Sequence, residues 1–330
     1  MGGNALKNTY TRRYEREEFE IINKELKDKL LKYFKHVDPT IYYSEKQNFG
    51  DADFLCLKDN NINIDTLKKF IINTFNSNEI FVNSNCVSFD YKELQVDLIL
   101  TKKDNYDTSL IYYSFNDLGN LIGKIAHKFH LKWGFDGLRF VYRLNDKKLG
   151  EIDVTKDYKK ALSFLGFDVE RYDKGFETLE DIFEYVISSK YFNPWLFDLE
   201  KLNRINRERD KKRNTYSKFL EYIEPLKQNT SIEDYHYFYH DKSVYLGLID
   251  HYFPGFLRKY RLLEKREERV KSISEKFNGR ILIHEFNITG RELGKLITDF
   301  KNSFDSVFDY EEYILNNDIE TILNKVKQFI

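Results

Sequence analysis

The chain is poor in residues that bend, loosen or cross-link a backbone: its 330 residues include four prolines, 15 glycines and two cysteines. This composition excludes collagen-like, glycine-linker and proline-rich disordered proteins. Cys56 and Cys86 cannot form a disulfide framework or a four-cysteine zinc site, so we expect buried free thiols in a reducing, cytoplasmic compartment. No uncharged apolar run approaches the ~18 residues of a membrane span, so we expect no membrane partner.

Neither sign of charge is in excess, because 53 lysines and arginines oppose 54 aspartates and glutamates. With 41% hydrophobic and 16% aromatic residues, this balance favours a folded protein, and the length predicts two domains. The charges nevertheless segregate: 201–213 and 258–280 each have a net charge of +5, whereas 299–330 has −4. Basic runs on helices are often only solvated faces, but two of them make a polyanion-binding surface plausible.

Hydrophobic spacing predicts an α+β N-terminal half and a mainly α-helical C-terminal half. The strands are expected at 41–43, 54–57, 86–91, 94–100, 138–142 and 151–154. The helices are expected at 14–35, 65–75 (with Asp65 as N-cap), 116–130, 157–165, 178–190, 198–224, 242–252, 256–276, 289–303 and 309–328, with breaks at Pro194, Pro225 and Pro254. Runs 86–91 and 94–100 are separated by two residues, which predicts a tight hairpin in a small mixed sheet with helices on one face.

Three aspartates stand out in this first half. Asp51 and Asp53 begin an apolar strand and, being two residues apart, are expected on the same side of it. Asp97 interrupts a later apolar strand, where a carboxylate is costly unless it is paired or bound to a metal. The simpler interpretation is that Asp51 caps a turn and Asp97 faces water at a sheet edge. If the two strands are neighbours, however, the three carboxylates form a cluster whose hard oxygen ligands suit Mg²⁺.

Such a cluster suits phosphoryl transfer. Two cations about 3.5–4 Å apart activate an attacking hydroxyl and neutralise the leaving oxygen in an in-line displacement. Asp51 and Asp53 would bridge both ions, and Asp97 would hold the ion at the attacking hydroxyl and accept its proton. The expected cofactor is therefore two Mg²⁺ ions, with Mn²⁺ as a substitute.

Gly50-Asp51-Ala52-Asp53 followed by Val96-Asp97-Leu98 resembles the polymerase-beta-like nucleotidyltransferase superfamily, in the form of a family X polymerase palm. The resemblance covers roughly 40–195. It implies a catalytic palm with an N-terminal helix at 1–155 and a helical nucleic-acid-binding region at 156–330, made of a thumb-like part (156–195) and a C-terminal part (196–330). It also implies that Tyr112 and Tyr113 lie against the sugar of a nucleotide and that Asn120 approaches its base.

The sequence departs from this family at the phosphate-binding loop. The family has a Gly-Ser pair about ten residues before the first metal aspartate, whereas Ser44 here lies only seven positions before Asp51 and follows Tyr43. We expect Ser44, Lys46 and the backbone at 48–50, including Gly50, to replace it as a shortened phosphate loop. Phe115 also stands where the family has glycine.

The C-terminal half supplies the expected nucleic-acid contacts. Residues 289–296 are similar to a helical signature in tRNA nucleotidyltransferases and related poly(A) polymerases. There, Gly290 and Gly294 would permit close approach of a backbone; close packing on a neighbouring helix is the simpler interpretation. The basic residues expected to bind nucleic acid are Arg204, Arg207, Lys211, Lys212, Arg213, Arg258, Arg291 and Lys295.

The sequence thus predicts a nucleotidyltransferase that joins nucleoside monophosphates from NTP or dNTP to a nucleic-acid 3′-hydroxyl and releases pyrophosphate. The alternatives are transfer to a protein side chain or a small molecule, and a catalytically silent nucleic-acid-binding protein. His236 and His240 are four residues apart but lack acidic or cysteine partners of suitable spacing, so no metal site is expected there. The aromatic residues at 235, 237, 238 and 239 are expected in a core.

Overall fold

A computed structural model describes residues 5–58, 62–144, 147–202, 204–231 and 242–330. His236, His240 and the aromatic residues around them lie outside this described part. The chain divides into two compact units, one comprising 1–141 and 151–256 and the other 142–150 and 257–330. These units are defined by packing, and the functional division expected at residue 155 stays a prediction.

The predicted class is confirmed: a mixed α/β first half precedes a mostly helical second half. The strands are β1 (Tyr14–Glu15), β2 (Val37–Pro39), β3 (Asn48–Phe49), β4 (Asp51–Leu57), β5 (Ile80–Asn83), β6 (Cys86–Tyr91), β7 (Leu94–Thr101), β8 (Leu131–Gly134), β9 (Gly137–Leu144) and β10 (Lys147–Thr155). The helices of this half are α1 (Arg16–Leu30), α2 (Ile64–Phe75), α3 (Tyr106–Tyr113) and α4 (Leu118–His127).

The five-stranded sheet has the order β2-β4-β7-β6-β5 and is mixed as predicted. Strands β4 and β7 run parallel, and every other neighbouring pair is antiparallel. The predicted hairpin is confirmed: Tyr91 pairs with Leu94, and Lys92 and Glu93 both have positive φ, of 49° and 63°. Positive φ at both central residues matches the twist of a two-residue hairpin turn.

Helices cover both faces of this sheet, so the expectation of helices on one face was wrong. Apolar side chains of α1 and α2 pack on one face, among them Phe19, Leu26 and Ile71, all buried. On the other face, Tyr106 of α3 packs on Leu55 and Ile99. The alternation of β4 therefore directs its even positions to one helical layer and its odd positions, beginning with Asp51, to the other side.

Two local predictions in this half were wrong. Residues 41–43 form no strand, because the amide of Ile41 bonds to the Ser114 hydroxyl and its carbonyl to the Phe115 amide, at 3.0 and 2.6 Å, instead of to a strand. Asp65 does not cap α2; Asn63 does, by accepting from the Asp65 amide at 2.8 Å. Asn63 precedes the first helical residue, where a side-chain acceptor can reach an unpaired amide. Of the two thiols, Cys56 is buried and Cys86 only half-buried.

The second half is helical; helices 242–252 and 256–276 have the predicted bounds, whereas the helices predicted at 157–165, 178–190 and 289–303 are shorter. They are α5 (Tyr158–Phe164), α6 (Val169–Lys174), α7 (Leu179–Ile187), α8 (Arg204–Lys211), α9 (Asn214–Lys227), α10 (Lys242–Tyr252), α11 (Phe256–Lys276), α12 (Gly279–Phe286), α13 (Gly290–Asn302), α14 (Val307–Asn316) and α15 (Ile319–Val326). The predicted helix 309–328 is two helices because Asp318 caps α15 by accepting from the Thr321 amide. Pro225 is not a break but lies inside α9, near its end.

The second unit has its own apolar core. Phe300, Ile314, Ile322 and Val326 are completely buried in it. Glu311 is also buried there, and its carboxylate accepts from the guanidinium groups of two arginines, Arg266 and Arg269, so its buried charge is neutralised. In the described part of the chain, no helix combines the length and the apolar character needed to cross a membrane.

Gly119 sets the turn between α3 and α4. A Cβ there would lie 2.2 Å from the carbonyl oxygen of Tyr112, a distance that a Cβ essentially never reaches. The glycine therefore lets α4 approach the C-terminal end of α3, which precedes the loop at 114–117.

We expect Gly119→Ala to destabilise the protein by about 1–3 kcal/mol, because the added methyl group forces two backbone segments apart. Gly247→Ala is the matched control: Gly247 is exposed on α10, and a Cβ there meets no described atom within 4 Å. That control is expected to stabilise slightly, by about 0.5–1 kcal/mol. Urea unfolding of both variants tests the contrast, and equal stabilities would contradict it.

Candidate metal centre

The strand register brings the three predicted aspartates together. Asp51 and Asp53 alternate on the same side of β4, and Asp53 pairs directly with Asp97 on the parallel neighbour β7. One carboxylate oxygen from each of the three lies within 4.8 Å of the others. Asp97 is therefore not on a sheet edge, since β7 lies between β4 and β6.

Burial and neighbouring carboxylates raise the pKa of two of the three aspartates, Asp53 and Asp97. Burial, followed by the charges of Asp51 and Asp97, raises the pKa of Asp53 well above its usual value, and Lys46 opposes the shift. Burial and the Asp51 charge raise the pKa of Asp97 to about 6, although hydrogen bonds from Ser88 and Gln95 act in the opposite direction. The fully ionised cluster is therefore electrostatically unfavourable in the absence of a cation.

Asp97 is held in place by buried neighbours. The side-chain amide of Gln95 donates to both of its oxygens, at 3.1 and 3.0 Å. Gln95 is itself oriented by the N-terminal segment, because its amide oxygen accepts from the backbone of Ala5 and Leu6 at 2.8 and 3.4 Å. Since Gln95 fixes the direction of both Asp97 oxygens, the carboxylate is preorganised for a ligand on its free side.

This donor set fits Mg²⁺ or Mn²⁺. Three carboxylates supply hard oxygen ligands, and their mutual repulsion is relieved by a divalent cation. The Lys46 ammonium also acts on this cluster: burial lowers its pKa, although the charges of Asp51 and Asp53 oppose the shift. Its Nζ donates to the Asn116 side chain at 3.2 Å and lies over the Phe49 ring.

A cavity of about 940 Å³ opens beside Asp51 and Asp53. Residues from the sheet, α1, the loop after α3 and the α8–α9 segment line it. Its basic lining residues are Arg13, Lys46, Arg209, Lys212, Arg213 and Lys218; its acidic ones, apart from Asp51 and Asp53, are Asp117 and Glu208. The two carboxylates and several cations thus line the same cavity.

The predicted nucleotide-binding residues divide into two groups. Lys46, Gly50 and Tyr113 line the cavity, whereas Ser44, Tyr112 and Asn120 are not among its described lining residues. The predicted phosphate loop is in part a strand, because Asn48–Phe49 form β3 and pair with β1.

The three residues outside the cavity have other contacts. Ser44 is exposed, and its amide donates to the carbonyl of Phe176 at 2.9 Å. The Tyr112 ring packs edge-on against Tyr113 and Trp133. Asn120 accepts from Arg209 at 3.1 Å. Their predicted roles at a sugar, base or phosphate therefore have no direct support in the cavity geometry.

Basic residues of the run at 201–213 are predicted to bind nucleic acid, and part of the run lines the cavity. Lys212 and Arg213 are at the cavity, and Arg213 pairs with Asp117. Arg204 and Lys211 are exposed. Arg207 donates to three backbone carbonyls, those of residues 199, 200 and 202, so it stabilises the chain before α8.

The predicted nucleic-acid-binding residues of the second unit are all exposed, namely Arg258, Arg291 and Lys295. Around Gly294 there is open space: a Cβ would meet no described atom within 4 Å, and the same holds for Gly290, whose φ is +60°. Neither glycine accommodates a close backbone within the described structure, so both the packing interpretation and its alternative lack support there.

Sequence reasoning missed several cavity residues, among them Asn23, Asn214 and Lys218. They belong to no motif with Asp51 and are up to 167 positions away from it, so their chemistry gave no signal in the sequence. The aspartate spacing, by contrast, singled out three carboxylates that the structure brings within 4.8 Å of one another. In comparisons with known proteins, neither a family model nor a curated protein sequence matched this chain.

Proposed function

We propose that the protein is a metal-dependent nucleotidyltransferase that adds nucleoside monophosphates from NTP or dNTP to a nucleic-acid 3′-hydroxyl and releases pyrophosphate. The observation that supports this most directly is the three-carboxylate cluster beside a large cavity with a basic surface. Carboxylates alone suit many metal sites, but a nucleoside triphosphate also needs cations for its phosphates and a volume of several hundred Å³.

Asp51 and Asp53 would hold both ions, and Asp97 the one at the acceptor. Two bound divalent ions supply activation of the attacking hydroxyl and neutralisation of the leaving oxygen. Asp97 would accept the proton of the acceptor hydroxyl on a carboxylate oxygen, as a general base positioned by Gln95. The hydroxyl oxygen then bonds to the α-phosphorus while the bond to pyrophosphate breaks.

The basic surface of the cavity suits the triphosphate. Lys212 and Lys218 are exposed and have no carboxylate partner among the described residues, so their charges are available to a ligand. Arg213 and Lys46 are less exposed and already bonded, to Asp117 and Asn116. Fixed cations of this kind stabilise the charge that accumulates on the departing pyrophosphate.

A separate basic surface suits the acceptor strand. On α11 the exposed residues Arg258, Lys259, Arg261 and Lys265 have no carboxylate partner in the described part of the chain. Unpaired cations along one helix attract a phosphate backbone without selecting its sequence. This surface favours a nucleic-acid acceptor over a small molecule.

The test incubates the protein with 5′-labelled DNA or RNA primers, each NTP and dNTP, and Mg²⁺ or Mn²⁺. We expect primers lengthened by at least one nucleotide and an equal amount of pyrophosphate, with binding that weakens as salt rises. A second arm uses α-labelled nucleotide without primer and separates labelled protein from labelled small molecules.

One result would change the proposed acceptor, and another would contradict the proposed function. Label in the protein or in a small molecule would move the acceptor away from nucleic acid while keeping the reaction. Absence of both label transfer and pyrophosphate, with every nucleotide and both metals, would contradict the proposed function.

A further inference from the structure

We propose that Lys124 and Asp210 form a buried ion pair that positions the phosphate-binding surface of the cavity. The proposal rests on the proposed function for the identity of the ligand, a polyphosphate. Lys124 is on α4 and Asp210 is in the last turn of α8; the two residues are 86 positions apart in the chain. Neither lines the cavity itself among the described residues, so both act through their neighbours.

Helix α8 has no apolar anchor. Asp210 is the only buried residue between Arg204 and Lys211, and the one large apolar side chain, Ile205, is 81% exposed. Most helices are held on a protein by an apolar face, which gives most of their stability. Here the buried anchor is a carboxylate, so the position of α8 depends on the partner of that carboxylate.

The pair is fully enclosed and short. Lys124 Nζ lies 2.7 Å from Asp210 Oδ2, and the two side chains are 3% and 0% exposed. Arg209 Nε donates to Asp210 Oδ1 at 3.0 Å, and Lys124 Nζ also lies over the ring of the buried Tyr216. Burial opposes the charge of Asp210, but the two cations outweigh it and lower the pKa of the carboxyl.

The same network reaches the cavity surface. Arg209 donates from Nε to Asp210 and from its terminal nitrogen to Asn120 on α4, so its planar group is held at both ends. The amide of Arg213 donates to the Asp210 carbonyl at 3.1 Å, and its guanidinium pairs with Asp117. Asp210 thus joins α8 to the start of α9, where Lys212 and Arg213 face the cavity.

Polar anchoring has a specific consequence. A buried ion pair adds little net stability, because desolvation offsets the attraction, but it permits only one arrangement of its partners. An apolar contact of similar volume can restore stability without fixing the orientation of the two helices, and it leaves the Nε of Arg209 without its Asp210 acceptor. Replacement of the pair by apolar residues should therefore restore stability without restoring the affinity for phosphate.

The experiment compares three proteins: the wild type, Asp210→Asn, and the double variant Lys124→Met with Asp210→Leu. Each is titrated with inorganic tripolyphosphate in metal-free buffer of low ionic strength, and its Tm is measured without ligand. Tripolyphosphate probes the cations alone, because it needs neither the nucleoside nor the metal centre.

We expect Asp210→Asn to lower the Tm and to weaken tripolyphosphate binding at least tenfold, since it leaves the Lys124 charge buried without its partner. The double variant is expected to recover most of the Tm but not the affinity. Lys159→Met with Asp173→Asn is the matched control: this lysine–aspartate pair, at 2.8 Å, is on the surface, with side chains 56% and 37% exposed. It should leave both quantities unchanged.

Two results would overturn the proposal. One is recovery of affinity together with Tm in the double variant, which is the result of a merely structural pair. The other is failure of the wild type to bind tripolyphosphate. If tripolyphosphate binds and responds as expected while no nucleotide is transferred, the positioning role stands and only the proposed function fails.

Discussion

Asp53→Asn is expected to reduce nucleotidyl transfer by about 10³-fold at saturating nucleotide and Mg²⁺. Asp53 contributes an oxygen to the carboxylate cluster and faces Asp97 across the β4–β7 register. Metal-based stabilisation of transition-state charge is worth several kcal/mol, and each 1.36 kcal/mol corresponds to a factor of ten in rate. Asp97→Asn should have a similar effect, since it also removes the group that accepts the acceptor's proton. Single-turnover extension of a labelled primer measures both.

Two aspartate-to-asparagine controls separate this effect from general damage. Asp104 is exposed, so Asp104→Asn should keep wild-type activity and stability. Asp90 is on β6 of the same sheet, where it accepts from the side chain of Ser77 and the backbone of Asn78 and Glu79, each at 2.8 Å. Asp90→Asn should therefore lower stability without abolishing metal-dependent transfer. Full activity in Asp53→Asn would contradict the proposed metal centre.

The second prediction concerns stability in the absence of metal. The metal-free protein should lose stability as pH rises from about 4 to about 7, and Mg²⁺ should restore it. Asp97 has its pKa raised to about 6, and that of Asp53 is raised as well. A carboxyl group with a raised pKa in the folded state stabilises the fold while it is protonated, and this contribution disappears as pH rises through the folded-state pKa.

The magnitude follows from the shift of Asp97. One pKa unit corresponds to 1.36 kcal/mol, and with a discount for partial exposure the loss is about 2 kcal/mol. Counting only the contribution of the cluster, the Tm of the metal-free protein should be about 4–8 °C lower at pH 8 than at pH 4. Because the charged cluster favours a cation, Mg²⁺ should raise the Tm by several degrees at pH 8 and hardly at all at pH 4.

Asp53→Asn reverses this behaviour. Removing one of the mutually repelling carboxylates should make the metal-free protein more stable than the wild type at pH 8, while its response to Mg²⁺ disappears. Differential scanning calorimetry at pH 4 and pH 8, with and without Mg²⁺, measures both quantities. A wild-type Tm that is independent of Mg²⁺ at pH 8 would show that the cluster does not bind this ion.

The local pattern of the sheet was predictable because it depends on neighbours in the sequence. The alternation of β4 places Asp51 and Asp53 on the same side whatever the rest of the chain does. The two-residue spacing between β6 and β7 determines their hairpin, with Lys92 and Glu93 in its turn. Predictions failed where distant contacts compete with local preference: residues 41–43 are apolar enough for a strand, yet Ile41 bonds to the loop after α3.

The meeting of Asp97 with Asp53 needed the strand order, which hydrophobic spacing does not specify. For β7 to lie parallel to β4, the chain must first pass through α2, β5 and β6 and then return to the side of β4. Charge counting likewise found the basic run at 201–213 but not its position in the fold. That run lies partly at the cavity because Asp210 is buried against Lys124, a contact between residues 86 positions apart.

By itself, therefore, the sequence was enough to predict the class of fold and to find the three carboxylates that define the candidate metal centre. These depend on composition and on spacings of two residues. Only the tertiary structure decided which cations share a cavity with those carboxylates, because the order of charges along a chain does not determine where they lie in the fold. Only folding brings Lys46 from the first half and Lys212 and Arg213 from the second to one cavity, where their charges act together on a ligand.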